Sequence, residues 1–307
     1  ELIKVRWKVS QFLKQSDIDI LHTNDGRMHA TWALGIIGIS TNHIWHQRSA
    51  FPKSRLLNCL ILCSSKVIAI SDYVKKTLPQ RASRRAVMIP NPIDPIARMP
   101  DKLNAKKLAF GWSEKMVSAT TVIGFVGTLN NQKRIMDFVA IAAYSKKYFA
   151  VPLQFVIIGK EGEYTYDQVK AILRDNQVAE YCRLEEYKSE IDIWYEAIDI
   201  LIAPSMNEAF GRNIIEGIER GAAIVAANSG GHTEIIDDES IGELVDVGDI
   251  TGYLKAVHFL LSNVSKMERK ADDVRTTIVE RYNTKRICSQ IVNEYKSLAT
   301  SLTRQSN

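Results

Sequence analysis

Two rhythms of apolar and polar positions take turns along this chain. Short apolar runs bounded by turn residues predict strands at 19–22, 36–41, 67–70, 87–89, 122–126, 153–158, 198–203 and 223–227. Between them, apolar residues recur every three or four positions. That spacing predicts helices over 52–64, 133–147, 166–176, 189–197, 211–220, 233–236, 250–261 and 284–302, and another ending at 78 with Ser71 or Asp72 as its cap. In 52–64, Leu56, Leu57, Leu60, Ile61 and Cys63 are expected to form the buried side. Strands that alternate with helices define an α/β protein with doubly wound parallel sheets. The rhythm stops where Pro90, Pro92, Pro95 and Pro100 exclude regular structure, and then restarts. Two units in tandem are therefore expected: 1–110, then 111–283. A last helix within 284–307 is expected to pack back toward the first unit.

Composition narrows the picture. A length of 307 residues suits two ordinary domains, and 46% apolar residues supply a sizeable core. The net charge of +5 suits anionic ligands or an anionic membrane surface. No Lys/Arg block is dense enough for a nucleic-acid arm, so no nucleic-acid partner is expected. Cys59, Cys63, Cys182 and Cys288 form no CxxC pair and read as reduced, mostly buried residues of a cytoplasmic chain. No apolar run reaches the roughly 18–20 residues that span a bilayer. No signal-peptide pattern opens the sequence, and its first residue is Glu1 rather than a methionine. Residues 1–14 mix Leu2, Ile3, Val5, Trp7, Val9 and Phe12 with Lys4, Arg6, Lys8 and Lys14. Such a segment packs as a helix before the next strand, or lies on the inner face of an anionic membrane.

The richest chemistry is a pair of carboxylates. Glu208 follows the apolar run 200–203, and Glu216 lies inside the helix that starts near Gly211. Ligands of α/β sheets bind beyond strand ends, and helix N-termini attract phosphate. Phe210-Gly211 allows close backbone approach. A carboxylate can accept both hydrogens of a vicinal diol, so a phosphate carrying a sugar on one end and a ribose on the other fits the arrangement. A second candidate stretch, from Gly127 and Thr128 to Lys133 and Arg134, follows the first strand of the second unit. A cation is unfavourable at a helix start, so Lys133 reads as a partner for a bound anion. Gly230, Gly231 and Thr233 read as a turn beneath the ligand. The turn at Gly159 and Gly162 is a weak signal of the same kind. The absence of GxGxxG counts against a nicotinamide dehydrogenase.

Pro204-Ser205, Glu208, Phe210-Gly211, Glu216, Ile224-Val225, Gly230-Gly231 and Glu234 resemble the signature of the retaining glycosyltransferases of family GT4. The resemblance runs from about Asp17 to the last helix. It implies the GT-B fold, with two Rossmann-like domains facing a cleft. It also implies transfer of a sugar from a nucleotide-diphosphate sugar to a glycan or lipid-linked acceptor, with no metal or other cofactor. By this resemblance Glu208 faces the donor sugar and Glu216 holds the ribose. The amides of Gly211, Arg212 and Asn213 meet the diphosphate, and Lys133 neutralises it. Thr128 stands where the family commonly has Arg, and Arg134 where it has Gly, so Arg134 or Arg212 is left to supply the missing charge. In the first unit, 39–43 resembles a family strand ending in a histidine that reaches the donor sugar. His43 is the expected residue, with His46 as its alternative. His22 and Asn91 have family counterparts and read as structural.

The family's first domain opens with a strand and a glycine-rich loop that this sequence lacks. The first unit is therefore expected to be incomplete, with the 19–22 strand at an unpaired edge. A non-catalytic nucleotide-sugar binder, a GT-B-type sugar-nucleotide epimerase and a phosphorylase are the rival readings. No lysine site for pyridoxal phosphate favours the last.

Overall fold

A computed structural model describes residues 2–24, 26–96, 100–186 and 191–305, with side chains omitted at 2–5, 264–270 and 301–305. The chain divides into two compact units. One comprises Glu1–Pro92 with Tyr282–Asn307, and the other Ile93–Arg281.

The first unit runs α1 (Leu2–Gln15), β1 (Ile20–Thr23), α2 (Gly26–Ile36), β2 (Asn42–Gln47), α3 (Arg55–Leu60), β3 (Lys66–Ala69), α4 (Asp72–Thr77), α5 (Gln80–Ser83) and β4 (Ala86–Met88). Its four strands are parallel in the order β1-β2-β3-β4, with β1 at an edge. The predicted strand at 36–41 is a correction. Ile36 closes α2, Gly38 turns the chain at φ 82°, and the strand begins at Asn42. Gly35 explains the helix: a Cβ there would stand 2.2 Å from Val9 Cγ1, so the glycine lets α1 and α2 meet. The strand was hidden by its composition, because Asn-His-Ile-Trp-His-Gln carries four polar residues yet is buried from His43 to Gln47. The helix predicted at 52–64 narrows to α3 plus a 3-10 turn, Ile61–Cys63, with Ser54 accepting from the Leu57 amide at 3.4 Å.

The second unit runs α6 (Lys102–Phe110), α7 (Glu114–Ala119), β5 (Thr121–Val126), α8 (Ile135–Tyr148), β6 (Leu153–Gly159), α9 (Tyr166–Asp175), β7 (Cys182–Glu186), α10 (Asp192–Ala197), β8 (Ile200–Ala203), α11 (Arg212–Glu219), β9 (Ala223–Ala227), α12 (His232–Ile235), β10 (Glu243–Val245), α13 (Ile250–Ser262) and α14 (Val264–Tyr282). Six parallel strands stand in the order β10-β9-β8-β5-β6-β7. Ile123, Phe125, Phe138, Phe155 and Ile157 are among the side chains that fill its core. The start of the helix predicted at 189–197 lies outside the described residues.

The expected boundary at residue 110 also moves, to Pro92/Ile93. The reason is a charge cluster that ties α6 into the second unit. Lys106 Nζ pairs with Asp199 Oδ2 at 2.6 Å and donates to the Thr120 carbonyl at 3.1 Å. Lys102 Nζ donates to the Ile198 carbonyl at 2.5 Å. The last helix, α15 (Thr284–Gln305), belongs to the first unit. There Ile287, Ile291, Tyr295 and Leu298 pack with Ile44, Ile68 and Ile89. The cysteines are corrected too: Cys182 is buried, whereas Cys59, Cys63 and Cys288 are exposed.

Candidate functional site

The six-stranded sheet reverses its winding between β5 and β8. β6 and β7 extend from β5 in one direction, and β8, β9 and β10 in the other. Loops leaving the C-terminal ends of neighbouring strands at such a reversal part and open a crevice. Here they are the loop from Gly127 to Arg134 and the loop from Pro204 to Gly211. Ile123 lies opposite Ile200, so the two loops leave side by side.

Both loops are shaped by close backbone contacts. A Cβ at Gly159 would lie 1.9 Å from the Gly127 carbonyl oxygen, and one at Gly162 would lie 2.6 Å from Thr128 Cγ2. These glycines let the β6 turn pass under the β5 loop, with Thr128 half-buried between them. The weak glycine signal in the sequence thus has a packing cause. Asn130 Oδ1 accepts from the Lys133 amide at 2.8 Å and sets the turn before α8. Arg134 adopts a left-handed conformation, φ 55°, which delays the start of α8 to Ile135. Its guanidinium is engaged by Asp137, at 2.5 Å from Nε and 3.0 Å from Nη2. The Arg134 charge is thus shared with Asp137.

Glu208 sits on the β8 loop. Asn207, at φ 55°, redirects the chain there, and its amide donates to Ser229 Oγ at 3.0 Å. The Glu208 carbonyl accepts from the Gly231 amide at 2.7 Å. Gly230, at φ 62°, lies against the Glu208 backbone so closely that a Cβ would stand 2.3 Å from the Glu208 carbonyl oxygen. A Cβ at Gly231 would stand 2.7 Å from the Phe210 carbonyl oxygen. The two glycines thus clasp the loop that carries the carboxylate. Glu208 Oε2 meets Lys133 Nζ at 2.5 Å, with the two side chains only 15% and 20% exposed. The sequence placed both residues at strand ends, and the structure joins them.

Phe210 is buried and Gly211, at φ 103°, opens α11. The first amides of a helix have no partner within it and carry the positive end of its dipole. Asn213 Nδ2 donates to the Val126 carbonyl at 3.1 Å, which ties this helix start to the end of β5. Inside the helix, Glu216 Oε1 accepts from Arg212 Nε at 2.7 Å. Glu216 Oε2 accepts from the Tyr195 hydroxyl at 2.9 Å. Arg212 is therefore also paired with an acid, although its side chain is 67% exposed.

Two contributors escaped the sequence analysis. Tyr195 reads there as one more apolar position of a helix. The structure buries it against Glu216, with the Arg220 guanidinium 5.3 Å from its ring. Burial pushes its hydroxyl pKa well up, followed by the Glu216 charge, so it stays a donor. His232 directly follows Gly231 and is fully buried. Its Nδ1 lies 3.3 Å from the Ala227 carbonyl, and its ring fills the space that a side chain at position 211 would need. Burial lowers its pKa to about 4, so the ring is neutral.

His43 lies inside β2 and is fully buried, with Nε2 2.9 Å from Thr23 Oγ1. The expected ring free to reach a sugar is thus enclosed, a correction with a simple cause: the strand starts at Asn42, so His43 lies near its beginning. His46 lies near its C-terminal end, with Nδ1 3.0 Å from His22 Nε2. His22 Nδ1 in turn meets the Tyr295 hydroxyl at 2.6 Å. His46 is also buried, and its Nε2 has no hydrogen-bond partner among the described residues.

Residues 112–275 match the family described as glycosyl transferases group 1, and residues 2–96 match glycosyltransferase family 4. The chain belongs to these glycosyltransferases, and its two parallel-sheet units form the GT-B type of fold. It is 24% identical to phosphatidyl-myo-inositol mannosyltransferase of Mycobacterium leprae, over 97% of this chain and 78% of that one. It is 23% identical to an Escherichia coli galactosyltransferase, named as using UDP-Gal and α-D-GlcNAc-diphosphoundecaprenol, over 80% of this chain and 67% of that one. Among solved structures, Anabaena HepE in complex with UDP aligns with a TM-score of 0.82 at 18% identity. That match covers 95% of this chain and 82% of HepE.

Proposed function

We propose that this glycosyltransferase moves a sugar from a nucleoside diphosphate sugar to an acceptor hydroxyl, with retention at the anomeric carbon and without a metal. The observation that carries this reading is the Lys133–Glu208 pair beside the start of α11, with Glu216 further along that helix. The Lys133 ammonium and the amides of Gly211, Arg212 and Asn213 supply positive potential for a diphosphate. Glu208 accepts from hydroxyls of the donor sugar, and Glu216 from the ribose diol. In the reaction the acceptor oxygen bonds to the anomeric carbon. The bond from that carbon to the β-phosphate oxygen breaks, and the diphosphate leaves with the electron pair. The acceptor proton passes to a leaving phosphate oxygen on the same face, which accounts for retention. Stabilising the leaving charge and holding the two substrates are what the chain itself contributes.

A lipid-linked or glycan acceptor is favoured by the relatives, whose names include an inositol lipid and a diphosphoundecaprenol. The test is a thermal-shift screen of UDP, GDP and ADP sugars, followed by assay of nucleoside diphosphate release with chelator present. The expected result is one base that stabilises the chain and chelator-insensitive transfer. Binding without transfer or donor hydrolysis would replace this reading with a non-catalytic binder. Conversion of the donor with no acceptor present would replace it with an epimerase.

A further inference from the structure

We propose that a groove in the first unit, between the loop that joins β2 to α3 and the end of α4, binds a small phosphorylated sugar. The groove has a volume of about 360 Å³, near the lower end of the range for small-molecule sites. Contacts on both sides fix its shape. The Phe51 amide donates to Thr77 Oγ1 at 2.9 Å, and that hydroxyl donates to the Val74 carbonyl at 2.6 Å. The Phe51 ring also packs on the buried Trp45, with centroids 6.3 Å apart. Phe51 and Leu78 line the groove as buried apolar residues, and Pro52 and Pro79 stiffen its two walls. These surfaces suit the carbon skeleton of one monosaccharide-sized molecule.

Charge selects the rest of the ligand. Lys53, Arg55 and Asn58 line the same groove with exposed side chains, and none of its lining residues is acidic. Among the described residues, no ion pair engages either cation. Lys133, Arg134 and Arg212 of the second unit, by contrast, each face a carboxylate. Lys75 and Lys76 occupy the last turn of α4, which leads into the wall from Thr77 to Pro79. From Arg48 to Arg85 the chain carries nine Lys or Arg against a single acid, Asp72, so the potential around the groove is positive. A guanidinium offers phosphate a fork of donors, a lysine adds a mobile charge, and the Asn58 amide suits a hydroxyl. The residues proposed to hold the sugar nucleotide all lie in the second unit, so this site stands apart from the transferase reading.

The experiment is calorimetry of the full chain with glucose 6-phosphate, inorganic phosphate and glucose. Glucose 6-phosphate should bind best, inorganic phosphate more weakly and glucose least. Lys53→Gln with Arg55→Gln should weaken binding of glucose 6-phosphate at least about tenfold. Lys115→Gln with Lys170→Gln removes the same charge from exposed positions of the second unit and should leave that binding unchanged. Excess UDP, GDP or ADP should not displace the sugar phosphate. Equal binding of phosphate and glucose 6-phosphate overturns the proposal, since charge alone would then explain it. No binding of glucose 6-phosphate, an unchanged affinity in the first double variant, or an equal loss in the second overturns it as well. So does displacement by a nucleoside diphosphate, which would place the ligand in the donor site. Binding to phosphatidic acid vesicles with none to glucose 6-phosphate would make the phosphate a lipid headgroup and also overturn it. If glucose 6-phosphate binds while no nucleoside diphosphate does, the donor reading fails and the groove stands.

Discussion

The Lys133 ammonium and the Glu208 carboxylate stand 2.5 Å apart at the point where the six-stranded sheet reverses its winding. Each satisfies the other, so a diphosphate must compete with Glu208 for Lys133. Lys133→Ala should weaken binding of the nucleoside diphosphate by about 1.5–3 kcal/mol, the scale of a charged hydrogen bond. Glu208→Ala should act in the opposite sense. It releases the lysine and removes a negative charge, so the nucleoside diphosphate should bind at least as tightly while sugar transfer collapses. Calorimetry with UDP, GDP and ADP checks both variants. Weaker diphosphate binding in Glu208→Ala would show that the pair is a structural tie.

The Tyr195 hydroxyl fixes one oxygen of Glu216 and Arg212 fixes the other. Tyr195→Phe keeps the ring in its buried site and removes only that bond. Nucleotide affinity should fall by about 1–2 kcal/mol, with the turnover number of the saturated enzyme nearly unchanged. A drop in turnover at unchanged KM would assign Tyr195 to the chemistry instead.

Much of this site was legible in the sequence because it sits where α/β topology puts ligands. Glu208 and Lys133 each follow an apolar run, and Glu216 falls inside a helix with a glycine at its start. What the sequence hid depends on contacts between distant segments. Tyr195 has the spacing of a core residue, and only packing brings its hydroxyl to Glu216. Arg134 looks like a free cation until its left-handed backbone turns it onto Asp137. In the fold, Asn42–Gln47 and Cys182–Glu186 escaped because His, Gln, Arg and Glu interrupt the apolar pattern that marks buried strands. The paired prolines marked the linker, but the lysines that bind α6 to Asp199 set the boundary.

Gly230→Ala tests whether the carboxylate loop needs its clasp. A Cβ there would meet backbone on both sides, 2.3 Å from the Glu208 carbonyl oxygen and 2.7 Å from its amide nitrogen. Backbone cannot swing away as a flexible side chain can, and φ 62° adds strain for a non-glycine residue. A loss of roughly 1–3 kcal/mol of stability is expected, together with weaker sugar-nucleotide binding. Thermal denaturation and donor titration measure the two effects. An unchanged melting temperature would show that the loop yields freely.

Acid should destabilise the first unit through its buried histidines. Desolvation lowers His43 to about 4, with a smaller contribution from His22. Desolvation lowers His46 to about 3, followed by the charges of Arg48, His22 and His29. Both rings are therefore neutral in the folded chain, while the unfolded chain protonates them near 6.5. The unfolded state binds more protons below that pH, so stability is complete above about pH 6.5 and falls as the pH drops toward 4. Each histidine adds about 1.4 kcal/mol of loss per pH unit in that window. Melting temperatures taken from pH 7 down to pH 5 should decline steeply in wild type and less steeply in His43→Asn, whose side chain cannot take up the proton. Identical slopes in the two proteins would remove His43 from the acid response.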